Sequence, residues 1–442
     1  MKLKQQYILI ALALFVVLSA FSAGALTGVA AGRGRLLETI AKVAQITSGT
    51  FEQREDHSVP GVTNLNALEV IWEVRDKVLQ QFVYPIKDDK QLTYGAVRGM
   101  LASLDDPYTR FLDPEEYHEF RTDTSGHFDG IGAVLESKGD DKGHEEVIIS
   151  SILPEGPAAK SDLRPQDIIV KVDKTIVEGM TLTAVVKLIR GPRGTPVTLT
   201  VIRKGAPKPI EVPLTRASIN VKVVESYQGQ DKWMLDEEHK IGYIWLRSFN
   251  ENAEREMQVA LNDLTKQGMK GLVLDLSSDP GGLLDVAVQV ASFFISDGPI
   301  VWTQERGQQA HSLNAIPGHA IPKDIKIVVL IDGGSASASE IVSGALQDTK
   351  RARLVGQYSF GKAKVQTILT LQDQSALFLS TALYLTPAKR DISIKDETGK
   401  RGLKPDVLFP EPDPTTPNFK AKEWHEAQID LAKAELLKLM AQ

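Results

Sequence analysis

The sequence predicts a multidomain protein of mixed α+β and α/β class, and three observations lead to this prediction. Apolar residues recur at helical spacing in residues 64–82 and 419–440. Between residues 128 and 203, four strands and one helix follow one another, and the last strand alternates apolar and polar residues. From about Val221 onward, buried strands alternate with helices, which is typical of βα units. With 442 residues, the chain has room for two to four domains.

Composition excludes several classes of function. The net charge of −6 does not favour a role in nucleic-acid binding. The chain has no cysteine, which excludes thiol catalysis, disulfides and cysteine metal sites. Neither an HExxH motif nor an acidic calcium-binding loop is present. We therefore expect no metal and no cofactor.

The N-terminus predicts export. Lys2 and Lys4 precede residues 8–21, which are almost continuously apolar, as in a signal peptide. A small-residue Ala-Gly-Ala sequence follows and resembles a cleavage site, but the uncharged run is also long enough to span a bilayer, which takes about 20 residues. Residues 1–33 are therefore predicted to be a signal peptide or a membrane anchor. Both interpretations place the rest of the chain outside the cytoplasm, in the periplasm or cell envelope, as a membrane-anchored or secreted protein.

Residues 34–117 are predicted to form a stalk and a helical region. Residues 34–61 are polar and mixed in composition. The apolar face of residues 64–82 predicts one helix, and a second, shorter helix is expected near residues 95–104. Pro107 restricts the backbone of the residue before it, so this second helix should end there.

Two segments within residues 118–210 are distinctive, GPAAKSDLRPQDIIVKVD and IRGPRGTPVTLTV. Together with the order of strands and helix, they resemble a PDZ domain. The resemblance implies that an extended peptide is bound by strand addition, with its terminal carboxylate on exposed backbone N–H groups. Gly130, Ile131 and Gly132 match the carboxylate loop, where glycines allow close backbone approach. An ordinary pair of glycines at a strand start is the structural alternative.

Two strand–turn–helix units follow within residues 211–412. In the first, the apolar strand at residues 271–276 leads to a turn that contains Gly281 and Gly282. In the second, the strand at residues 326–331 leads to a serine-rich turn and a helix. Turns at the strand ends of one sheet can face each other across a cleft. We therefore expect a site that is built from both turns.

Ser337 lies where the second of these helices begins. Ser337 and Glu340 have the spacing of a capping box, and a serine at a helix start is usually a cap. The free N–H groups at a helix start also suit a developing negative charge. Lys362 follows twenty-five residues after Ser337, and Gln366 follows four residues after Lys362. Because serine and lysine can form a catalytic pair, Ser337 is a candidate nucleophile.

The sequences SASASE and FGKAKVQ, at this spacing, resemble the carboxyl-terminal processing (tail-specific) serine proteases. The resemblance extends over most of the chain and implies a crotonase-like βα protease domain in residues 211–412. It also implies Ser337 as the catalytic nucleophile, Lys362 as the general base and Gln366 as the group that orients Lys362. Ala363 stands where the family commonly has glycine.

The turn with the sequence SSDPGG resembles the NPGG loop of the same family, which implies an oxyanion hole. Gly281 or Gly282 would supply one backbone N–H, and Ala338 would supply the other. Removing a donor of this kind typically costs roughly 3 kcal/mol of transition-state stabilisation. Ser277 and Asp279 replace the arginine and asparagine that are frequent in the family at these two positions.

For Lys362 to act as a base, its pKa must be low. An unperturbed lysine has a pKa of about 10.4, so only about one molecule in a few thousand is neutral at pH 7. Lowering this pKa by about three corresponds to roughly 4 kcal/mol, and burial without a carboxylate partner can supply it. The neighbours of Lys362 are apolar, and no acidic residue lies between Asp348 and Asp373.

The remaining segments predict a hairpin and a terminal helix. Residues 365–371 and 376–385 are expected to pair as a hairpin. Residues 413–442 form a separate C-terminal helix that packs on the N-terminal helices or joins two subunits. By resemblance to the family, the helical region before residue 117 supports the protease domain or a dimer contact.

Together these features predict an exported serine endopeptidase that cleaves extracytoplasmic proteins at or near their C-termini, with the PDZ domain recognising the substrate tail. The expected partners are proteins or peptides with free C-termini, the membrane if the N-terminal segment is retained, and further copies in a homo-oligomer. The alternative from another class is a catalytically silent PDZ scaffold or adaptor, because Ser277, Asp279 and Ala363 depart from the family pattern.

Overall fold

The computed structural model describes residues 67–139, 145–229, 231–411 and 420–442. The candidate signal or anchor segment and the predicted stalk lie outside these residues. Within the described ranges, no helix is long and apolar enough to cross a membrane. The chain divides into two units, residues 1–87 and residues 88–442.

Eight α-helices lie in the described residues. They are α1 (Ala67–Gln81), α2 (Lys90–Ala102), α3 (Pro114–Ser125), α4 (Leu182–Ile189), α5 (Ala253–Lys266), α6 (Leu284–Ser292), α7 (Ala338–Asp348) and α8 (Ala421–Met440). Helix α1 belongs to the first unit and exposes Val70 and Trp72. Helix α2 begins earlier than predicted, at Lys90, and the Asp88 side chain just before it accepts the Lys90 N–H at 3.0 Å.

Twenty β-strands lie in the same ranges. They are β1 (Arg110–Leu112), β2 (His127–Gly130), β3 (Ala133–Gly139), β4 (Glu145–Ile152), β5 (Ile168–Val172), β6 (Thr175–Ile176), β7 (Pro196–Ile202), β8 (Ile210–Thr215), β9 (Ala217–Asn220), β10 (Val224–Glu225), β11 (Met234–Asp236), β12 (Ile241–Leu246), β13 (Gly271–Asp275), β14 (Pro299–Glu305), β15 (His311–Asn314), β16 (Lys326–Ile331), β17 (Arg353–Gly356), β18 (Lys364–Thr370), β19 (Ala376–Leu385) and β20 (Val407–Leu408).

The strands β3 to β8 form a separate antiparallel sheet with its own core. The sheet order is β3-β4-β5-β7-β8, and β6 pairs with β5. Alternating apolar residues of these strands, such as Ile149 and Leu199, pack together with Val185 of α4. Strand β3 lies at an edge of the sheet with α4 beside it. Because β3 is an edge strand, its outer side is free to pair with a further strand.

A second sheet carries the βα units. Its order is β10-β12-β13-β16-β17-β20, with β11 on β12, and the strands from β12 to β20 are parallel. Leu272 and Leu274 face the core that includes α5, α6 and α7. Val273 between them faces the opposite side, where it packs with Ile429 and Leu436 of α8. The apolar face of α8, expected to contact N-terminal helices or another subunit, therefore covers this sheet instead.

A third sheet joins the helical region to the predicted hairpin. Its order is β1-β19-β14-β15, and β18 pairs with β19. The hairpin of β18 and β19 confirms the sequence prediction. Strand β1 pairs with β19 in antiparallel register, Phe111 opposite Leu377. The segment after α2 is thereby held against the hairpin that begins two residues after Lys362.

Candidate active site

The turn between β16 and α7 holds Ser337 in an unusual backbone conformation. Its φ of 55° and ψ of −111° lie outside the regions that a non-glycine residue commonly adopts. Asp332 fixes the turn, since its Oδ1 accepts the N–H groups of Gly334 and Ser335 at 2.9 and 3.1 Å. The Ser335 hydroxyl donates to Leu276 O at 2.8 Å and ties the turn to the end of the neighbouring strand. Strained residues of this kind cluster at functional sites.

Glu340 is a fully buried carboxylate in the first turn of α7. Five groups donate hydrogen bonds to it: the backbone N–H groups of Ser337, Gly361 and Lys362, and the hydroxyls of Ser359 and Tyr384. The Ser337 N–H lies 2.9 Å from Oε2, and the Lys362 N–H lies 3.0 Å from the same oxygen. One carboxylate therefore brings together the two sequence motifs that predicted the site.

Lys362 is held by side chains from two other segments. Its Nζ donates to Gln366 Oε1 at 2.9 Å and lies 5.1 Å from the centre of the Tyr108 ring. The Gln366 Nε2 donates in turn to Tyr108 O. The segment before β1 thus fixes Gln366, and Gln366 fixes the amine.

The electrostatic surroundings lower the pKa of Lys362. Burial is the main cause, and the positive charge of Arg110 acts in the same direction. Glu340 and Asp106 act in the opposite direction without reversing the shift. The sequence shows no acid near Lys362 along the chain, yet folding brings these two carboxylates within electrostatic range. Even so, the amine forms no ion pair with any described residue.

The glycine turn after β13 lies against the Ser337 turn. A Cβ atom at Gly281 would lie 2.6 Å from Ala336 O, 2.8 Å from Ala338 N and 2.9 Å from Ser337 Cβ. Its φ of 94° is also unfavourable for any other residue. The close approach of the two turns therefore requires glycine at this position.

The two candidate glycine donors differ in their hydrogen bonds. The Gly281 N–H donates to Asp279 Oδ1 at 2.8 Å, so it is already engaged. Gly282 is exposed and lies opposite Phe249 in an isolated β-bridge. The hydrogen bonds of this bridge are made by Gly281 O and the Leu283 N–H, so the Gly282 N–H takes no part in them. Within the described residues, no backbone bond uses the N–H groups of Gly282 or Ala338. These two N–H groups remain available to a ligand.

A second polar cluster supports the end of β13. Asp275 is fully buried, and its Oδ2 accepts hydrogen bonds from the Tyr243 hydroxyl at 2.6 Å and from His425 Nε2 of α8 at 2.7 Å. Its Oδ1 accepts the Ser277 N–H at 2.8 Å. Ser277 and Asp275 thereby connect the C-terminal helix to the start of the glycine turn.

The predicted peptide-binding residues lie between the end of β2 and the start of β3, beside the antiparallel sheet of β3 to β8. Ile131 O accepts the Ala158 N–H at 2.8 Å, and Gly132 O accepts the Leu153 N–H at 2.9 Å. In the described chain, no backbone bond uses the N–H groups of Ile131 and Gly132. Gly130 ends β2 and is buried. These residues form an anchored loop with free donors, and they are not part of the Ser337 cluster.

Several residues of the site escaped the sequence interpretation. Glu340 was recognisable as half of a capping box, but its contacts with the Lys362 loop were not. Tyr384 and Tyr108 had no local signal, and His425 was only one of eight scattered histidines. Among the described residues, no group of three or more acidic or histidine side chains is arranged to hold a metal.

Family models match most of the chain. Residues 240–409 match peptidase family S41, residues 121–202 match the PDZ domain, and residues 29–116 match the N-terminal domain of the activating protease CtpB. A carboxy-terminal-processing protease of Bartonella bacilliformis is 38% identical over 347 residues, which are 77% of this chain and 75% of that protein. The chain belongs to peptidase family S41. It is a serine-type peptidase with a PDZ domain, within the branch of carboxyl-terminal processing proteases.

Other relatives also match about three quarters or more of this chain. A probable CtpA-like serine protease of Staphylococcus epidermidis is 33% identical over 376 residues, covering 83% of this chain and 70% of that protein. The solved structure of a photosystem II D1 C-terminal processing protease is 34% identical and covers 76% of this chain and 86% of its own, with a TM-score of 0.42. The family models and the identities to the Bartonella and Staphylococcus proteins confirm the predicted family and the multidomain fold class.

Proposed function

We propose that this S41 peptidase is an exported serine endopeptidase that cleaves proteins at or near their C-termini through a Ser337–Lys362 pair. The observation that carries the proposal is the Glu340 carboxylate, which binds the backbone N–H groups of both residues. It fixes a loop with a half-buried lysine against the turn that presents the serine. A serine hydroxyl is a weak nucleophile and needs such a base.

In the proposed reaction, Ser337 Oγ attacks the scissile carbonyl carbon while the neutral Lys362 amine takes the hydroxyl proton. The tetrahedral intermediate collapses, the leaving amine takes that proton from Lys362, and an ester remains on Ser337. Water then attacks the ester and gives a proton to Lys362. Collapse of the second intermediate releases the new carboxyl terminus and returns the proton to Ser337.

Gln366 has a distinct role in this scheme. Its Oε1 accepts a hydrogen bond from the Lys362 amine and so directs the lone pair elsewhere. Because the amide is neutral, it orients the amine without stabilising its charged form as a carboxylate would. The low pKa that burial gives Lys362 is thereby preserved.

The negative charge of each tetrahedral intermediate needs hydrogen-bond donors. We assign this role to the N–H groups of Gly282 and Ala338, since the N–H of Gly281 is engaged by Asp279. Gly281 instead provides the close contact between the two turns. Donors that are already in place when charge develops are a large source of rate enhancement.

The PDZ domain would select the substrate. An extended tail can pair with the free edge of β3, with its carboxylate on the N–H groups of Ile131 and Gly132. Leu135 of β3 and Leu182 of α4 are partly buried apolar side chains near this edge, which favours an apolar terminal residue. This loop requires glycine at position 132, because a Cβ atom there would lie only 2.6 Å from the Cα of Gly156.

Export, membrane attachment and assembly belong to the same proposal. Residues 1–33 would direct the chain out of the cytoplasm, either as a cleaved signal or as a retained anchor. The mature protein would act in the periplasm or cell envelope, alone or as a homo-oligomer. Mass spectrometry of the mature N-terminus distinguishes a cleaved signal from an anchor.

The proposal is tested with the purified chain from Gly34 onward and an unfolded model protein that ends in an apolar tail. The native chain should cleave it, and the Ser337→Ala and Lys362→Ala variants should not, although circular dichroism shows them folded. The same substrate with an amidated C-terminus should be cleaved more slowly if the PDZ domain reads the carboxylate. Normal cleavage by Lys362→Ala contradicts the assigned base. Tail binding without any cleavage would favour the scaffold alternative.

A further inference from the structure

Asp279 is a buried carboxyl group in the glycine turn, and the mechanism above makes no use of its charge. It is fully buried, and its Oδ1 accepts the Gly281 N–H at 2.8 Å. Its Oδ2 is also buried and has no hydrogen-bonding partner among the described residues. No described basic side chain forms an ion pair with it. A carboxylate in such a place would be an isolated buried charge, which is strongly unfavourable.

The backbone of Asp279 is attached to both sides of the nucleophile turn. Its carbonyl oxygen accepts the Ala336 N–H at 3.0 Å and the Ser339 hydroxyl at 2.8 Å. Ala336 precedes Ser337, and Ser339 follows Ala338, so Asp279 is bound on either side of the reacting residue. Any change of charge at Asp279 therefore occurs next to the proposed oxyanion site.

We propose that Asp279 is a positioning residue for the oxyanion site and acts in its protonated form. As a neutral group it holds the Gly281 N–H, which leaves the Gly282 N–H for the substrate. When it ionises, its negative charge opposes the charge that develops on the substrate oxygen, and cleavage slows. This inference rests on the proposed Ser337–Lys362 reaction.

The surroundings favour the protonated form. Burial raises the pKa of Asp279 well above its ordinary value, and the neighbouring charge of Asp275 adds to this. The Gly281 N–H, the Ser339 hydroxyl and Arg247 act in the opposite direction without reversing it. The charged or titratable groups around the loop include Tyr243 on β12, Arg247 after β12, Asp275 at the end of β13, Asp332 after β16, Glu340 on α7 and His425 on α8.

The sign of the expected pH dependence follows from two groups. Activity rises with pH as Lys362 loses its proton, and it falls at higher pH as Asp279 loses its own. The pH profile of kcat/KM is therefore bell-shaped, with an alkaline limb of about tenfold per pH unit for a single ionisation. Asp279→Asn is neutral at every pH and can still accept the Gly281 N–H. It should lose the alkaline limb and keep the acidic limb, which depends on Lys362.

The matched control is Asp285→Asn, which removes an exposed carboxylate from the first turn of α6, a few residues away. Its profile should keep both limbs. A second variant, Arg247→Gln, removes the cation that favours ionised Asp279 and should move the alkaline limb to higher pH. If Asp279→Asn and Arg247→Gln both reproduce the native alkaline limb, the proposal is overturned.

An infrared measurement separates this proposal from the proposed function. At neutral pH the native protein should show the carbonyl stretch of a buried, protonated carboxyl group, and Asp279→Asn should lack it. This band does not depend on catalysis, and it disappears only when Asp279 ionises. Cleavage that survives Ser337→Ala would refute the reaction scheme while the band still reports Asp279. Absence of the band from the native protein at neutral pH would overturn the role of Asp279 alone.

Discussion

Lys362 Nζ donates a hydrogen bond to Gln366 Oε1 over a distance of 2.9 Å. The acceptor is a neutral amide, and it is fixed from its other side by the backbone carbonyl of Tyr108. The amine thus has a defined orientation in a buried setting that lowers its pKa. A neutral amide at this position orients the lysine without stabilising its charged form, as a carboxylate would.

Gln366→Glu should reduce the fraction of Lys362 that is neutral while preserving its geometry. A carboxylate in contact with the amine stabilises the charged form and raises the pKa of Lys362 by about one to three. The acidic limb of the pH profile should move to higher pH, with a loss of about tenfold or more in kcat/KM at pH 7. The exposed Gln372→Glu, in the turn of the same hairpin, is the control. An unmoved acidic limb would mean that Gln366 does not contact the catalytic base.

Glu340→Gln should impair both folding and catalysis. The amide replaces one acceptor oxygen by a donor, so some of the five groups that donate to Glu340 lose their partner in a buried place. We expect a loss of about 3 kcal/mol in the free energy of unfolding, measured in urea, together with a lower kcat. Glu251→Gln, at an exposed position, should change neither. Native stability and native kcat in Glu340→Gln would contradict the role assigned to this carboxylate.

Gly281→Ala separates the effect of close contact from that of backbone strain. The added methyl group would lie within 3 Å of three atoms of the Ser337 turn, so the two turns must move apart. We expect a loss of about 100-fold or more in kcat, as for other damage to an oxyanion site. Gly268→Ala has a similar φ of 80° and open space around it, so it should cost only about 1 to 2 kcal/mol of stability. Equal activities of the two variants would argue against the contact.

The contact between His425 and Asp275 should make stability depend on pH. Burial lowers the pKa of His425, but the hydrogen bond and charge of Asp275 outweigh it, so the net shift is upward. The contact therefore stabilises the fold fully below the unfolded pKa of about 6.5 and loses this effect as pH rises through the folded pKa. His425→Gln should lower the unfolding temperature more in acid than in alkali. The exposed His118→Gln should show no such difference. A pH-independent loss in His425→Gln would point to packing instead.

The sequence predicted those parts of the fold that depend on neighbouring residues. The strand β16, the helix α7 and the hairpin of β18 and β19 follow from local apolar spacing. The proposed pairing of Ser337 with Lys362 rests on two motifs at a fixed spacing in the chain. The apolar spacing and the two motifs all lie within about 60 residues of the chain, and both can be recognised without knowing the tertiary structure.

Contacts between distant segments were beyond such reasoning. Gln366 meets the carbonyl of Tyr108, which is 258 positions away, and His425 meets Asp275 across 150 positions. Neither contact produces a periodic pattern. The burial of Asp279 was likewise invisible, because a carboxylate in a glycine turn is normally read as a solvated residue. Its isolation arises only from the packing of the two turns.

The central claim is that Lys362 activates Ser337, and covalent labelling tests it most directly. The folded protein is treated with a serine-directed fluorophosphonate, and the modified residue and its rate of modification are found by mass spectrometry. We expect one adduct, on Ser337, and we expect it to form at least about 100-fold more slowly in Lys362→Met than in the native protein. An adduct on another serine, or an unchanged rate in Lys362→Met, would contradict it.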